Sequence, residues 1–288
     1  MTDRSYHAGS SVSFSWYLTP RQHAAELMAL NLVVIPLLVW LARRYTRAVG
    51  IKARPVDQMG WPLWLLDQAV HFTGLITLGF TLWYKYEKDA FVFMLQPCHI
   101  SNTLMIIFWF FPGAKTGKDG KVVENTFINY LQAFNMDIWF GSLAALLMPD
   151  FRNTRLFLEK EMFIIQHGLL VALPFYYMAV RRYTVYSDFI HIFQNYLIFA
   201  LIHWDVFSTV SIFWNCNVNY MAQPPNGFTK YGEWYRGVVM LQCLAATLAA
   251  RYIFSGLWGL LVTWQYPYTV CCVRRSKGTV MGLAKKQQ

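Results

Sequence analysis

The stretch LNLVVIPLLVWLA at residues 30–42 belongs to the first of seven long apolar runs. Those runs constrain the fold more than any other feature. A helix needs about 20 mostly apolar residues to cross a hydrocarbon core, and inside that core only helices and closed barrels satisfy their own backbone hydrogen bonds. The runs fall near residues 24–42, 61–84, 90–111, 127–149, 157–180 and 188–213, with the last inside 237–270. They predict an all-α fold, a polytopic transmembrane helix bundle of about six or seven spans. The second run carries Asp67 and His71 and the last is interrupted by Arg251, so these two have the least defined bounds. Junctions are short and no internal repeat is visible. Residues 1–288 therefore read as one bundle domain, with a short polar segment at about 1–20 and a basic tail at about 274–288.

Charge supports the same class. Only 14% of residues are charged, against about a quarter in a soluble domain. The net charge of +10 is not a nucleic-acid footprint, because the basic residues cluster between apolar runs, as in RRYTRAVGIKAR at 43–54 and RRSK at 274–277. Cationic junctions of that kind face anionic lipid. With seven spans, the odd-numbered junctions and the C-terminus carry about twice as many Lys and Arg as the opposite side. The bias predicts a cytoplasmic C-terminus. Residues 1–20 lack a central apolar region, so no cleavable signal peptide is expected. Five cysteines do not make a disulfide framework. Cys271 and Cys272, just before the basic tail, are candidates for S-palmitoylation.

Ionisable groups inside a bilayer are costly and mark sites. Cys98 is the ninth residue of the third run and His167 the eleventh of the fifth. If both runs are helical and enter from the same face, the two lie at depths of about 13 and 16 Å. A thiol becomes a useful nucleophile when an imidazole takes its proton. Pro97, inside an apolar run, predicts a helix kink of the kind tolerated where a cavity is lined. Ser101 and Asn102 share a face with Cys98, and Gln166 lies beside His167. His99 points about 100° away from Cys98 and is expected to face elsewhere. His203 lies at a depth similar to His167 and competes with it as the base. His71 and Asp137 read as interhelical hydrogen-bonding groups. No pair of histidines has i, i+4 spacing on one helix, so neither a metal site nor a cofactor is expected.

The short motifs LQPCH (95–99), GSLAALLMP (141–149), NTRL (153–156), IQHGLL (165–170), NVNYM (217–221) and YGEWYR (231–236) occur in this order. Together they resemble the transmembrane protein 164 family of acyltransferases, over about residues 78–240. The resemblance implies acyl transfer onto ether-linked lysophospholipids, a link through those lipids to ferroptosis, and residence in the endoplasmic reticulum or Golgi. It also implies that Cys98 and His167 are the catalytic pair. The family is in turn similar to the androgen-induced-gene hydrolases of fatty-acid esters, where a threonine replaces the nucleophile.

These readings combine into an expected two-step exchange. A phospholipid acyl donor forms a thioester on Cys98, and a lysophospholipid acceptor then takes the chain, with His167 moving the proton in both steps. Ser101, Asn102, Gln166 or a backbone amide near Pro97 would hold the oxyanion. Arg155 and Arg236, near predicted helix ends, are the candidates for a headgroup phosphate. A lipid hydrolase would use the same pair with water as acceptor. A transporter or receptor would leave Cys98 as packing.

Overall fold

The structure is a computed structural model that describes residues 17–44, 50–151, 154–186, 188–224, 227–254 and 256. Most of the polar N-terminal segment, the basic tail, Cys271 and Cys272 lie outside the described residues. The seventh run is described only in its first part.

Four of the seven runs form helices long and apolar enough to cross a membrane. They are α1 (Pro20–Arg44), α2 (Trp61–Glu87), α6 (Glu159–Val180), and α7 (Phe189–Leu201), which continues through a π-helical turn (Ile202–Phe207) into α8 (Ser208–Phe213). The third and fourth runs are broken. The third begins as a 3₁₀ turn (Phe91–Leu95), after which α3 (Pro97–Phe110) covers only 14 residues, about 21 Å at the helical rise. The fourth divides into α4 (Thr126–Asp137) and α5 (Phe140–Leu147). The seventh starts as α9 (Tyr235–Ala249) and passes into a second π-helical turn, Ala250–Phe254. The chain is thus a polytopic helical bundle.

The connections alternate between its two ends. At one end β1 (Gly50–Ile51), after α1, pairs antiparallel with β4 (Val185–Tyr186), after α6. The hairpin of β2 (Ala114–Thr116) and β3 (Val122–Glu124), after α3, joins them through a Lys52–Glu124 ion pair of 2.9 Å. At the other end Tyr84, late in α2, donates to the carbonyl of Phe157, just before α6 (2.8 Å), and Lys88 pairs with Glu159. Tyr17, ahead of α1, donates to the carbonyl of Thr229, ahead of α9 (3.2 Å).

Caps in the sequence set several helix starts. Asn125 accepts from the Ile128 amide and Asp188 from the His191 amide, satisfying donors that a first turn leaves open. Pro97 sets a helix start differently, by having no N–H to leave open. Gln96 before it is extended (φ −60°, ψ 142°), so the proline opens α3 and does not kink it, in keeping with its preference for the first helical turn.

Apolar side chains such as Leu32, Trp61, Phe72 and Phe110 face outward, where lipid takes the place of water. The interior is polar in patches, and each patch ties helices together. Arg182, after α6, reaches Asp67 of α2 at 2.5 Å and donates to the carbonyls of Phe108 and Trp109 at the end of α3. Tyr176 also donates to Asp67 (3.0 Å), and His71 meets the Tyr177 hydroxyl at 2.9 Å. Asp137 accepts from Asn195 of α7 (2.7 Å) and pairs with Arg251 (2.7 Å). His71 and Asp137 are interhelical hydrogen-bonding groups, as the sequence indicates.

Candidate active site

Three segments converge where α3 begins: the last turns of α2, the first turn of α3 and the first half of α6. Gly74 lets α2 and α3 approach. A β-carbon there would lie 1.4 Å from the Met105 Cε. Above that contact a chain of side-chain hydrogen bonds crosses the three helices. Asn102 donates to the Thr77 hydroxyl (3.3 Å), and the Thr77 hydroxyl donates to the Gly74 carbonyl (3.0 Å). Thr81 contacts both the Thr77 carbonyl (2.8 Å) and the Gln166 Oε1 (3.0 Å). With its carbonyl facing Thr81, Gln166 directs its NH₂ to His99 Nδ1 at 3.2 Å. In this orientation of the amide the His99 proton is on Nε2. All five side chains of this chain are buried.

His167, the next residue on α6, has the opposite tautomer. Its Nδ1 donates to the Phe163 carbonyl at 2.8 Å, and the Phe163 ring packs on the imidazole at 4.1 Å. The Nε2 lone pair is left as a proton acceptor. Gln166 thus joins His99 of α3 to the residue beside His167 on α6, one imidazole with an Nε2–H and the other with a free Nε2 lone pair. Cys98 lies in the first helical turn, where the amides of His99 and Ile100 donate to the Gln96 carbonyl (2.9 and 3.0 Å). Its charged neighbour is Lys85 of α2. No hydrogen bond joins Cys98 to His167 among the described residues. Catalytic hydrogen bonds in a ligand-free site are commonly long and close when substrate binds.

A sequence model of the TMEM164 family matches residues 17–254. The chain belongs to the TMEM164 family. The protein called transmembrane protein 164 homolog of Dictyostelium discoideum is 30% identical over 217 residues, 73% of this chain and 74% of the relative. No solved structure matches.

The geometry of this TMEM164-family chain sorts the remaining candidates. Ser101 is buried on α3. Asn102 has given its NH₂ to Thr77, and its Oδ1 is a buried acceptor with no partner; what it turns inward is not the donor an oxyanion needs. Gln166 is used on both sides to orient His99. His203 sits in the π-helical turn after α7, bonded to Asn219 Nδ2 (3.0 Å) and ringed by Phe199, Trp204 and Phe207. Its charged neighbour is Arg236. It belongs to the contacts between α7 and α9, not to the chain through Gln166. Arg236 is buried, pairing with Glu26 of α1 (2.9 Å) and donating to His23 (2.6 Å); its guanidinium ties α9 to α1. Arg155 is exposed at the same end, where its amide and that of Leu156 donate to Glu159 (2.9 and 3.2 Å).

Two corrections follow. Because α3 starts at Pro97, the helical rise cannot be counted back to residue 90, and Cys98 lies near the helix start rather than deep in a span. His99 does not turn away. It faces α6 and is bonded into the site. The sequence reading missed it as a site residue, together with Thr77, Thr81 and Lys85. A signal for His99 was present in its i, i+3 spacing to Asn102, another polar residue of the same apolar run.

Proposed function

We propose that this membrane protein is an acyltransferase that moves a fatty acyl chain between phospholipids through a thioester on Cys98. The observation that carries the reading is the start of α3, where Cys98 is followed by His99, which Gln166 bonds to α6 beside His167, with Lys85 of α2 over the preceding turn. His167 Nε2 accepts the thiol proton, and the sulfur attacks the donor's ester carbonyl. The oxyanion forms beside His99 Nε2–H and the Cys98 amide, both oriented before the reaction begins. The carbonyl–oxygen bond breaks, and the proton on His167 passes to the departing lysophospholipid oxygen. An acceptor lysophospholipid, ether-linked as the family resemblance suggests, then gives its hydroxyl proton to His167 and attacks the thioester carbonyl. The carbon–sulfur bond breaks and the thiolate takes the proton back. Apolar walls hold the chains and keep water from competing as acceptor.

The test uses purified protein and a phospholipid with one labelled acyl chain, with and without lysophospholipid. Wild type should take up hydroxylamine-sensitive label that chases into the acceptor, and Cys98→Ala should take up none. His167→Ala should label more slowly by about 10²–10⁴-fold, the usual contribution of a positioned base. Release of the label as free fatty acid would make the protein a hydrolase. A folded wild type that takes up no label would return Cys98 to a packing role.

A further inference from the structure

Lys85 is a half-buried cation without an acid. Three buried arginines each face a carboxylate: Arg182 with Asp67, Arg236 with Glu26 and Arg251 with Asp137. Among the described residues Lys85 has no such ion pair. The nearest candidate, Glu159, acts on it electrostatically but is committed to Lys88 and to the amides of Arg155 and Leu156. The Lys85 ammonium instead lies 5.5 Å from the centre of the Phe93 ring, over the 3₁₀ turn that leads to Pro97 and Cys98. A resting thiol brings no charge to balance it. Withdrawing an unpaired ammonium from water is costly, so an anion supplied from outside is the chemistry this position fits.

The level in the membrane narrows the anion. Lys85 sits in the last turns of α2 between the exposed rings of Trp83 and Tyr86. Aromatic collars of this kind mark the headgroup layer. In a glycerophospholipid the phosphodiester sits on the glycerol carbon adjacent to the one that bears the middle acyl ester. A cation beside the nucleophile therefore meets the phosphate when that ester carbonyl lies on the sulfur. A lysine suits a singly charged diester, which it binds as a point charge. Arg236, the sequence's candidate for this task, has its donors engaged within the bundle.

We propose that Lys85 is the phosphate-binding residue of the Cys98 site, pairing with the phosphodiester of a glycerophospholipid whose acyl ester lies over the Cys98 sulfur. This rests on the acyl-transfer reading and names the feature of the substrate that the site selects. The phosphate sets which lipids are taken, and the acyl chain is held separately by the apolar walls.

The experiment separates the two claims by removing turnover. Full-length Cys98→Ala protein is offered photo-cross-linkable phosphatidylcholine and a diacylglycerol with the same acyl chains. It should capture phosphatidylcholine in preference. Lys85→Met in that background should lose phosphatidylcholine capture roughly tenfold while keeping diacylglycerol capture, which also shows that the variant is folded. Lys85→Arg should retain the preference. A Lys85→Met protein that still prefers phosphatidylcholine overturns the assignment, and so does a Cys98→Ala protein that captures neither lipid. In turnover with native Cys98, Lys85→Met should raise KM for phospholipid donors by a larger factor than KM for diacylglycerol donors. An equal fall on both donors would mean that Lys85 serves the sulfur alone. If native protein forms no thioester yet Cys98→Ala shows Lys85-dependent capture, the acyl-transfer reading fails and the phosphate site stands.

Discussion

Gln166 is spent on its neighbours. Its carbonyl accepts from Thr81 and its NH₂ donates to His99 Nδ1, and the second bond decides which nitrogen of His99 carries the proton. Gln166→Leu should therefore leave the bundle intact and let the His99 ring choose the wrong tautomer. Losing a hydrogen bond to a developing charge costs about 1.5–3 kcal/mol, so kcat for transacylation should fall roughly 10- to 100-fold with little change in KM. Equal kcat in the variant would mean that His99 does not touch the oxyanion. The sequence made Cys98, Gln166 and His167 visible because polar side chains are rare in apolar runs. Lys85 was not visible, because a lysine near the end of a run reads as an ordinary interfacial anchor. Only the fold of residues 88–97 back over α2 brings it to the thiol.

At the scale of helices, the sequence located the six apolar segments that the described residues cover in full but could not show how two of them break. Apolar composition is the same whether the backbone is a 3₁₀ turn, an α-helix or a junction between two helices, so 90–111 and 127–149 each read as one span. Pro97 was the visible clue, and its effect depends on whether a helix precedes it. The ties between helices are testable more directly. Arg182 holds the ends of α2 and α3 to α6 through Asp67 and the carbonyls of Phe108 and Trp109. Removing one partner of a buried pair strands the other charge and costs about 3–5 kcal/mol. Arg182→Met should thus lower the Tm of the purified protein sharply. The double variant Asp67→Leu/Arg182→Met, which strands no charge, should recover much of the loss. If the double variant is as unstable as the single one, the arginine's backbone contacts and not its ion pair hold the helices together.

For the whole molecule, the alternation of the connections fixes a relation between the site and the membrane. The junctions after α1, α3 and α6 meet through the two small sheets and the Lys52–Glu124 pair, whereas Lys85, Cys98 and the Lys88–Glu159 pair belong to the opposite end. The basic bias of the first group predicts that it faces the cytoplasm, which would open the candidate site toward the other leaflet. The orientation can be checked in a chain whose five native cysteines are replaced, with one new thiol at an exposed position of each end: Asp119→Cys in the β2–β3 hairpin, or Lys230→Cys before α9. In sealed microsomes, whose outer face is cytoplasmic, a membrane-impermeant maleimide should label Asp119→Cys at once and Lys230→Cys only after permeabilisation. The reverse pattern would keep the fold and turn the molecule over, so that Lys85 would select its lipids from the cytoplasmic leaflet. Labelling of both from outside would break the alternation itself. The depth relation among Thr81, His99 and Gln166 would survive, because it rests on contacts between helices and not on the orientation of the bundle.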